Sequence, residues 1–281
     1  MTGNTMTTVN AADTGTAGKG KTSSELKALA RGAIIGSLTV CVGANLLYGS
    51  FGLILDYIVG GVITGSGAAS FALNIAFTFL VTLMMGIFQA GLSLIYLKKT
   101  FGQEASIADL FFGFRESPDR IIKLQAVLGA IQIAAALPAQ IYMSFVFKGD
   151  LLTALSAFQT DRSVFYGFII RYGALTVLGF AVQLAVSAFF GLSYYILLDF
   201  PQLSTKEILQ KSMQLMKDVK VKYILIELSF IPLYILGFIS FGIADLWVMA
   251  YENAVIAEFY RDRIEKGIDT SAFAMYDSSG S

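Results

Sequence analysis

Histidine is absent from this sequence, and cysteine occurs once, at position 41. The first absence removes the commonest general base and the commonest metal ligand. The second rules out an internal disulfide or a thiolate metal cluster. With apolar neighbours, Cys41 reads as a small buried or lipid-facing residue. Charge is scarce too. Asp, Glu, Lys and Arg make up 14% of the 281 residues and cancel to a net charge of zero. Nothing therefore draws the chain as a whole toward nucleic acid. There is no Walker loop, dinucleotide glycine fingerprint, metal-ligand cluster or nucleophile motif. The expectation is a protein that is not an enzyme, needs no metal or cofactor and has no nucleic-acid partner.

Apolar residues are abundant instead: 56% of the chain, with a mean hydropathy of +0.68. Soluble domains run about 45–50% apolar and about 25% charged. A larger core cannot absorb the excess, because a folded chain of this size still needs a polar surface. The simpler reading is a chain solvated by lipid.

Crossing the roughly 30 Å hydrocarbon layer takes about 20 apolar residues in a helix. Six stretches qualify, at about 32–55, 70–97, 121–147, 172–198, 223–239 and 243–260. Their apolar runs are continuous, not alternating, which favours helices over barrel strands. Pro138 and Pro232 fall inside two of them, where neighbouring helices can satisfy the freed backbone groups. The predicted fold class is all-α: a polytopic membrane bundle of about six transmembrane helices plus two cytoplasmic amphipathic helices. The outer end of the first span could instead form a short interfacial helix and a Gly-rich turn. The last two spans are short, and a re-entrant hairpin is the alternative there. Three segments follow: a disordered arm over 1–24, a membrane domain over 25–266 and a flexible tail over 267–281. The arm lacks the apolar run of a signal peptide.

Orientation follows from the basic residues, which prefer cytoplasmic loops. With six spans, every Lys and Arg except Lys148, Arg162 and Arg171 falls on one side. Both termini are expected in the cytoplasm and the chain in the cell membrane, with the bilayer as partner and membrane proteins as a second partner class.

Two cytoplasmic loops share one grammar. In "STKEILQKSMQLMKD", Ser204 and Glu207 stand at capping-box spacing. Leu209, Met213 and Met216 lie on a stripe of 3.6-residue period, and the lysines can face anionic headgroups. In "SIADLFFGFRESPDR", Ser106 and Asp109 repeat the box, Phe111 and Phe114 belong to the stripe, and Pro118 is expected to end the helix. The five apolar residues are predicted to face the membrane, though the Leu-Met face of the first loop could rest instead on the cytoplasmic ends of the spans. If this is an internal repeat, it is parallel.

Those loops, with "LWVMAYENAVIAEFYRDR", resemble the bacterial integral-membrane family known as domain of unknown function 975. The matching residues are Ser106, Asp109, Leu110, Phe111, Gly113 and Phe114; Ser212, Leu215, Met216 and Lys217; and Trp247, Tyr251, Ala257, Phe259 and Tyr260. One departure is Ala250, where that family usually has proline. The resemblance implies a multi-pass plasma-membrane protein and brings no site residues.

Ionisable groups at membrane depth are costly and become functional candidates. Glu252 lies nine residues before Arg261, about 13 Å inside the boundary at 1.5 Å per residue. Asn253 adjoins it, and Glu227 is somewhat shallower. Gln125, Gln132 and Gln140 share one face of the third span. Such polar groups either join helices or line a wet path. The candidate intramembrane set is Glu252, Glu227, Asn253 and Gln132. The functional reading is a non-enzymatic membrane scaffold or interaction protein working through its amphipathic helices; the alternative is a small secondary transporter or channel with a polar path through the bundle.

Overall fold

The computed structural model describes residues 20–62 and 67–267. Among them the ordered elements are all helical. They are α1 (Ser23–Ile35), α2 (Leu38–Val62), α3 (Ala68–Thr100), a 3-10 turn (Ile107–Phe111) leading into α4 (Phe112–Arg115), and α5 (Pro118–Phe145). Then come α6 (Phe147–Ala157), α7 (Arg162–Phe190), α8 (Ser193–Asp199), α9 (Thr205–Met216), α10 (Lys220–Leu228), α11 (Ile231–Ile239) and α12 (Ile243–Gly267).

Five units are long and apolar enough to cross a membrane: α2, α3, α5, α7 with α8, and α10 with α11. The sixth expected span forms inside α12, but Asp245, Glu252 and Glu258 make that helix too acidic to join them. The spans turn apolar side chains outward; Leu53 is 73% exposed and Ile170 is 70% exposed. Continuous apolar surface of this extent marks contact with something other than water. The chain is an all-α helical bundle with the surface of a membrane protein.

Several boundaries differ from those expected. The first span starts later, because residues 23–35 form the separate helix α1, opened by a Thr22–Glu25 capping box. Its far end continues in α2 to Val62 without a separate interfacial helix, and the expected Gly-rich turn falls in part on residues 63–66, outside the described residues. Pro118 does not end the loop helix. It begins α5, where its missing N–H costs nothing, and the loop helix stops at Arg115. The expected disordered arm and tail lie outside the described residues, apart from residues 20–24 and Gly267.

The core sits at one end of the bundle. Leu26, Ala30 and Ile34 of α1 pack with the last turns of α3, the start of α5, α8, α9 and the second half of α12. Lys21, Lys98, Arg120, Lys211, Lys222, Arg261 and Arg263 make their contacts at this same end, the basic end. Three arginines there tie helix ends together by donating to carbonyls: Arg120 to Phe200 and Leu203 at 3.2 and 3.1 Å, Arg261 to Thr100 at 2.8 Å, and Arg263 to Leu215 at 3.1 Å. Leu203 precedes α9, but Phe200, Thr100 and Leu215 lie at helix C-termini, where the last carbonyls lack intrahelical partners and carry the negative end of the dipole, so a guanidinium suits both needs. At the opposite end, Asp150 of α6 joins α5 and α7, accepting from Tyr142 at 3.0 Å and facing Arg171 at 3.6 Å.

Helix α12 runs antiparallel to α10–α11 along its length. The rungs are Lys222 with Asp262 at 3.9 Å, Phe230 edge-on to Tyr251 at 5.3 Å, Tyr234 with Glu252, and Gly237 against Asp245. Beside Lys222, the backbone N–H of Lys21 donates to Asp262 at 3.1 Å, and the Lys21 ammonium meets Glu265 at 3.0 Å. The first and last described turns therefore meet at the basic end.

Candidate functional site

Two carboxylates, Glu227 in the fifth apolar unit and Glu252 in α12, open onto one cavity. Glu227 on α10 accepts from the Ser187 hydroxyl of α7 at 2.9 Å. Glu252 on α12 accepts from the Tyr234 phenol of α11. Both line a space of about 610 Å³, with Gln183 and Leu184 of α7 and Ile231 of α11 on its walls.

A break in the fifth span shapes this space. The α10–α11 unit is interrupted at Ser229 and Phe230, and Pro232 opens the next turn. Proline donates no N–H, which favours a break here. Phe230 is fully buried and Ser229 accepts from Lys27 of α1 at 2.6 Å, so the break is anchored from both sides. Helix α10 stays packed on α7 while α11 diverges from it. The result is a cleft with the Ser187–Glu227 pair at its apex. Its mouth is apolar and lies on a flank that exposes apolar side chains: Phe238 is 85%, Ile235 56% and Phe180 47% exposed.

A second cavity of about 240 Å³ lies deeper, between α2, α3, α5 and α7. Gln89, Gln125, Gln132, Tyr48 and Tyr194 line it, and Tyr194 donates to Gln125 at 2.5 Å. Gln183 and Ser187 line both spaces. A polar seam thus runs from Glu252 and Glu227, past Ser187 and Gln183, to the glutamines of α3 and α5.

Three of the four expected intramembrane residues, Glu252, Glu227 and Gln132, lie along that seam. Asn253 does not. Its side-chain amide donates to the Asn45 side-chain Oδ1 of α2 at 3.2 Å, and Asn45 Nδ2 donates in turn to the Cys41 backbone carbonyl at 2.8 Å and to the Tyr96 hydroxyl. Consecutive helical residues do not share a face, so the neighbour of Glu252 joins α12 to α2 instead. Sequence reasoning missed Tyr234 and Ser187, each a hydroxyl within an apolar run.

The five residues expected to face the membrane divide. Met216 is fully buried among protein side chains, as are Ile208 and Ser212, and the Ser212 hydroxyl donates to the Phe189 carbonyl at 2.9 Å. The apolar stripe of α9 docks on the ends of α7 and α8, the other placement open to that face, which corrects the membrane-facing expectation for Met216. Leu209 is half-buried in the same contact, and Met213 sits at its exposed edge. Lys211 rests over the Phe200 ring at 3.2 Å. Phe111 and Phe114 are exposed, and both pack edge-on against Phe88, with centroids at 5.8 and 5.2 Å.

The α9 box is built as expected. Glu207 accepts from the Ser204 backbone N–H at 2.8 Å and from its hydroxyl at 2.6 Å. Those two bonds, the hydroxyl's first, hold the Glu207 carboxyl below the usual carboxylate range.

None of the motif residues lines the cleft, and most of them are buried in packing, with the aromatic Phe111, Phe114 and Trp247 exposed. Leu110, Gly113, Leu215, Met216, Ala257, Phe259 and Tyr260 are all buried at the basic end. Tyr260 stacks on Tyr195 at 5.2 Å and donates to Asp199 at 2.7 Å. The model of the family described as Protein of unknown function (DUF975) matches residues 20–266. Comparison with curated proteins and with solved structures finds no match. The matched stretch takes in every helix of the bundle and all three motifs, and on that ground the chain belongs to the family described as Protein of unknown function (DUF975).

Proposed function

We propose that this chain is a non-enzymatic, multi-pass protein of the cell membrane that conducts a small solute along the seam between its two cavities. One observation carries the reading: Glu227 and Glu252 line a single cleft at the depth of the apolar spans, and that cleft shares Gln183 and Ser187 with a glutamine-lined cavity. A carboxylate at this depth is costly. Glue between helices would be served as well by neutral side chains, whereas two acids facing open volume suit a cationic passenger.

The lipid bilayer is the partner that the outward apolar faces require. Helix α12 is the sixth crossing in this reading, since it lies along the whole of α10–α11 and returns to the basic end. That end faces the cytoplasm by the preference of Lys and Arg for cytoplasmic loops, and both termini lie there. A scaffold reading keeps one supporting feature, the exposed pair Phe111 and Phe114. The burial of Met216 takes the α9 stripe away from it.

The test is uptake of radiolabelled rubidium and methylammonium into vesicles holding the purified chain. Wild type should conduct at least one of them. The Glu227→Gln, Glu252→Gln double variant should lose that flux, and Asn253→Ala, outside the cavities, should retain it. Flux that survives the double change unaltered removes the carboxylates from the path. No flux of either ion refutes conduction of a small cation.

A further inference from the structure

The cleft between α7 and α11 has a form that a path for hydrated ions does not need. Its mouth opens sideways, through Phe180, Ile235 and Phe238, onto the flank that the apolar spans turn outward. Its floor carries Glu227 and Glu252. An inorganic cation arriving from water would gain nothing from an aromatic, lipid-facing entrance. A molecule dissolved in the hydrocarbon would.

We infer that the cleft takes up an organic cation with an apolar body, a lipophilic ammonium or phosphonium, directly from the bilayer. This rests on the solute-path reading above and names the solute class for that same cleft. Three properties converge on this chemistry. The volume, about 610 Å³, lies in the range of about 300–1,000 Å³ that holds drug-sized molecules. The walls are mostly apolar, so the body of such a molecule is matched by Leu184, Ile231 and Ile235. Both charged groups on the lining are acids, so charge complementarity selects a cation and rejects an anion of equal size. Phe180 and Phe238 add ring faces, which attract organic cations. A neutral lipid tail would leave the two carboxylates without a counter-charge. The same holds for an apolar helix of a second copy.

The test uses the full chain in lipid nanodiscs and two probes of matched shape and opposite charge, tetraphenylphosphonium and tetraphenylborate. Wild type should bind radiolabelled tetraphenylphosphonium saturably, and tetraphenylborate should not compete. The Glu227→Gln, Glu252→Gln variant should bind it at least about tenfold more weakly, as expected when a charge pair is removed from a low-dielectric cleft. Equal competition by the borate, or unchanged affinity in the double variant, overturns the inference. A measurement on the wild type alone covers a variant that fails to fold. An azido-aryl phosphonium should label peptides of α7 and α11 around Phe180 and Phe238. Label confined to other helices overturns the proposal, and so does an absence of label with cross-linked dimers through α11. If tetraphenylphosphonium does not bind while rubidium or methylammonium flux still depends on the carboxylates, the inference fails and the solute path stands. If neither is seen, both fail.

Discussion

The Tyr234 phenol donates to the Glu252 carboxylate across the α11–α12 pair. It is the one hydrogen bond recorded for that carboxylate among the described residues. A half-buried acid held by a single donor is sensitive to the loss of that donor, because an unsatisfied buried group bears its full desolvation penalty.

Tyr234→Phe removes only the hydroxyl. It should lower stability in detergent by about 1–3 kcal/mol, read as a reduced thermal midpoint. Combining it with Glu252→Leu should cost less than the sum of the two single changes, because they act on one interaction. Additive effects would show that the pair is not coupled.

Two glycines make a test of opposite signs. A side chain on Gly91 of α3 would run into the backbone carbonyl of Leu110, which belongs to the 3-10 turn packed on that helix. Gly91→Ala should therefore destabilise by about 1–3 kcal/mol through overpacking. Nothing lies near the corresponding position of Gly173 on α7. Gly173→Ala should raise stability by about 0.5–1 kcal/mol, the usual gain for alanine inside a helix. Midpoints that move together would contradict the close approach of α3 to the turn.

Five of the six expected spans were legible, because a continuous apolar run of about 20 residues favours a long apolar helix. The capping grammar was legible too, and it carried further than expected: Thr22 and Glu25 form the same box that opens α9. That spacing could have revealed α1, whose stripe of Leu26, Ala30 and Ile34 merges in sequence with the first span. Pro118 was ambiguous in kind, since the same residue ends one helix or starts another. What the sequence could not display was partnership. Glu252 and Glu227 stand out as charges at depth, but that they share a cleft depends on the α10–α11 break. Tyr234, Ser187 and the separation of Asn253 from Glu252 are products of helix packing, with no local signature.

The α9 box should be visible in its pH response. Hydrogen bonds from Ser204 hold the Glu207 carboxyl below its ordinary value of 4.5. A depressed folded value means that the stabilisation is fully present above the unfolded value and is lost as pH falls through the folded one. Protection of the first amides of α9 against hydrogen exchange should therefore persist down to pH 4.5 and fall below it. In Ser204→Ala the Glu207 titration should move back up toward 4.5. That variant should also cost about 1 kcal/mol, as other lost caps do. A Glu207 titration unaffected by Ser204→Ala would mean that the box does not hold the carboxyl.

The meeting of the first and last described turns gives the sharpest check on topology. The Lys21 ammonium lies 3.0 Å from the Glu265 carboxylate, and both side chains are accessible, at 29% and 49%. A water-soluble carbodiimide should activate Glu265, and the Lys21 amine should then displace the urea to form an amide. The product is a single chain whose digest contains one peptide joining the two residues. Lys21→Arg should abolish it, because guanidinium is not acylated under these conditions. Six crossings leave the two residues on one face of the bilayer, whereas an α12 that failed to return would leave them on opposite faces. A monomer that yields no joined peptide, while Glu265 is fully modified by an added small amine, would place Lys21 elsewhere. It would also remove the antiparallel α10–α12 pairing on which the cleft depends.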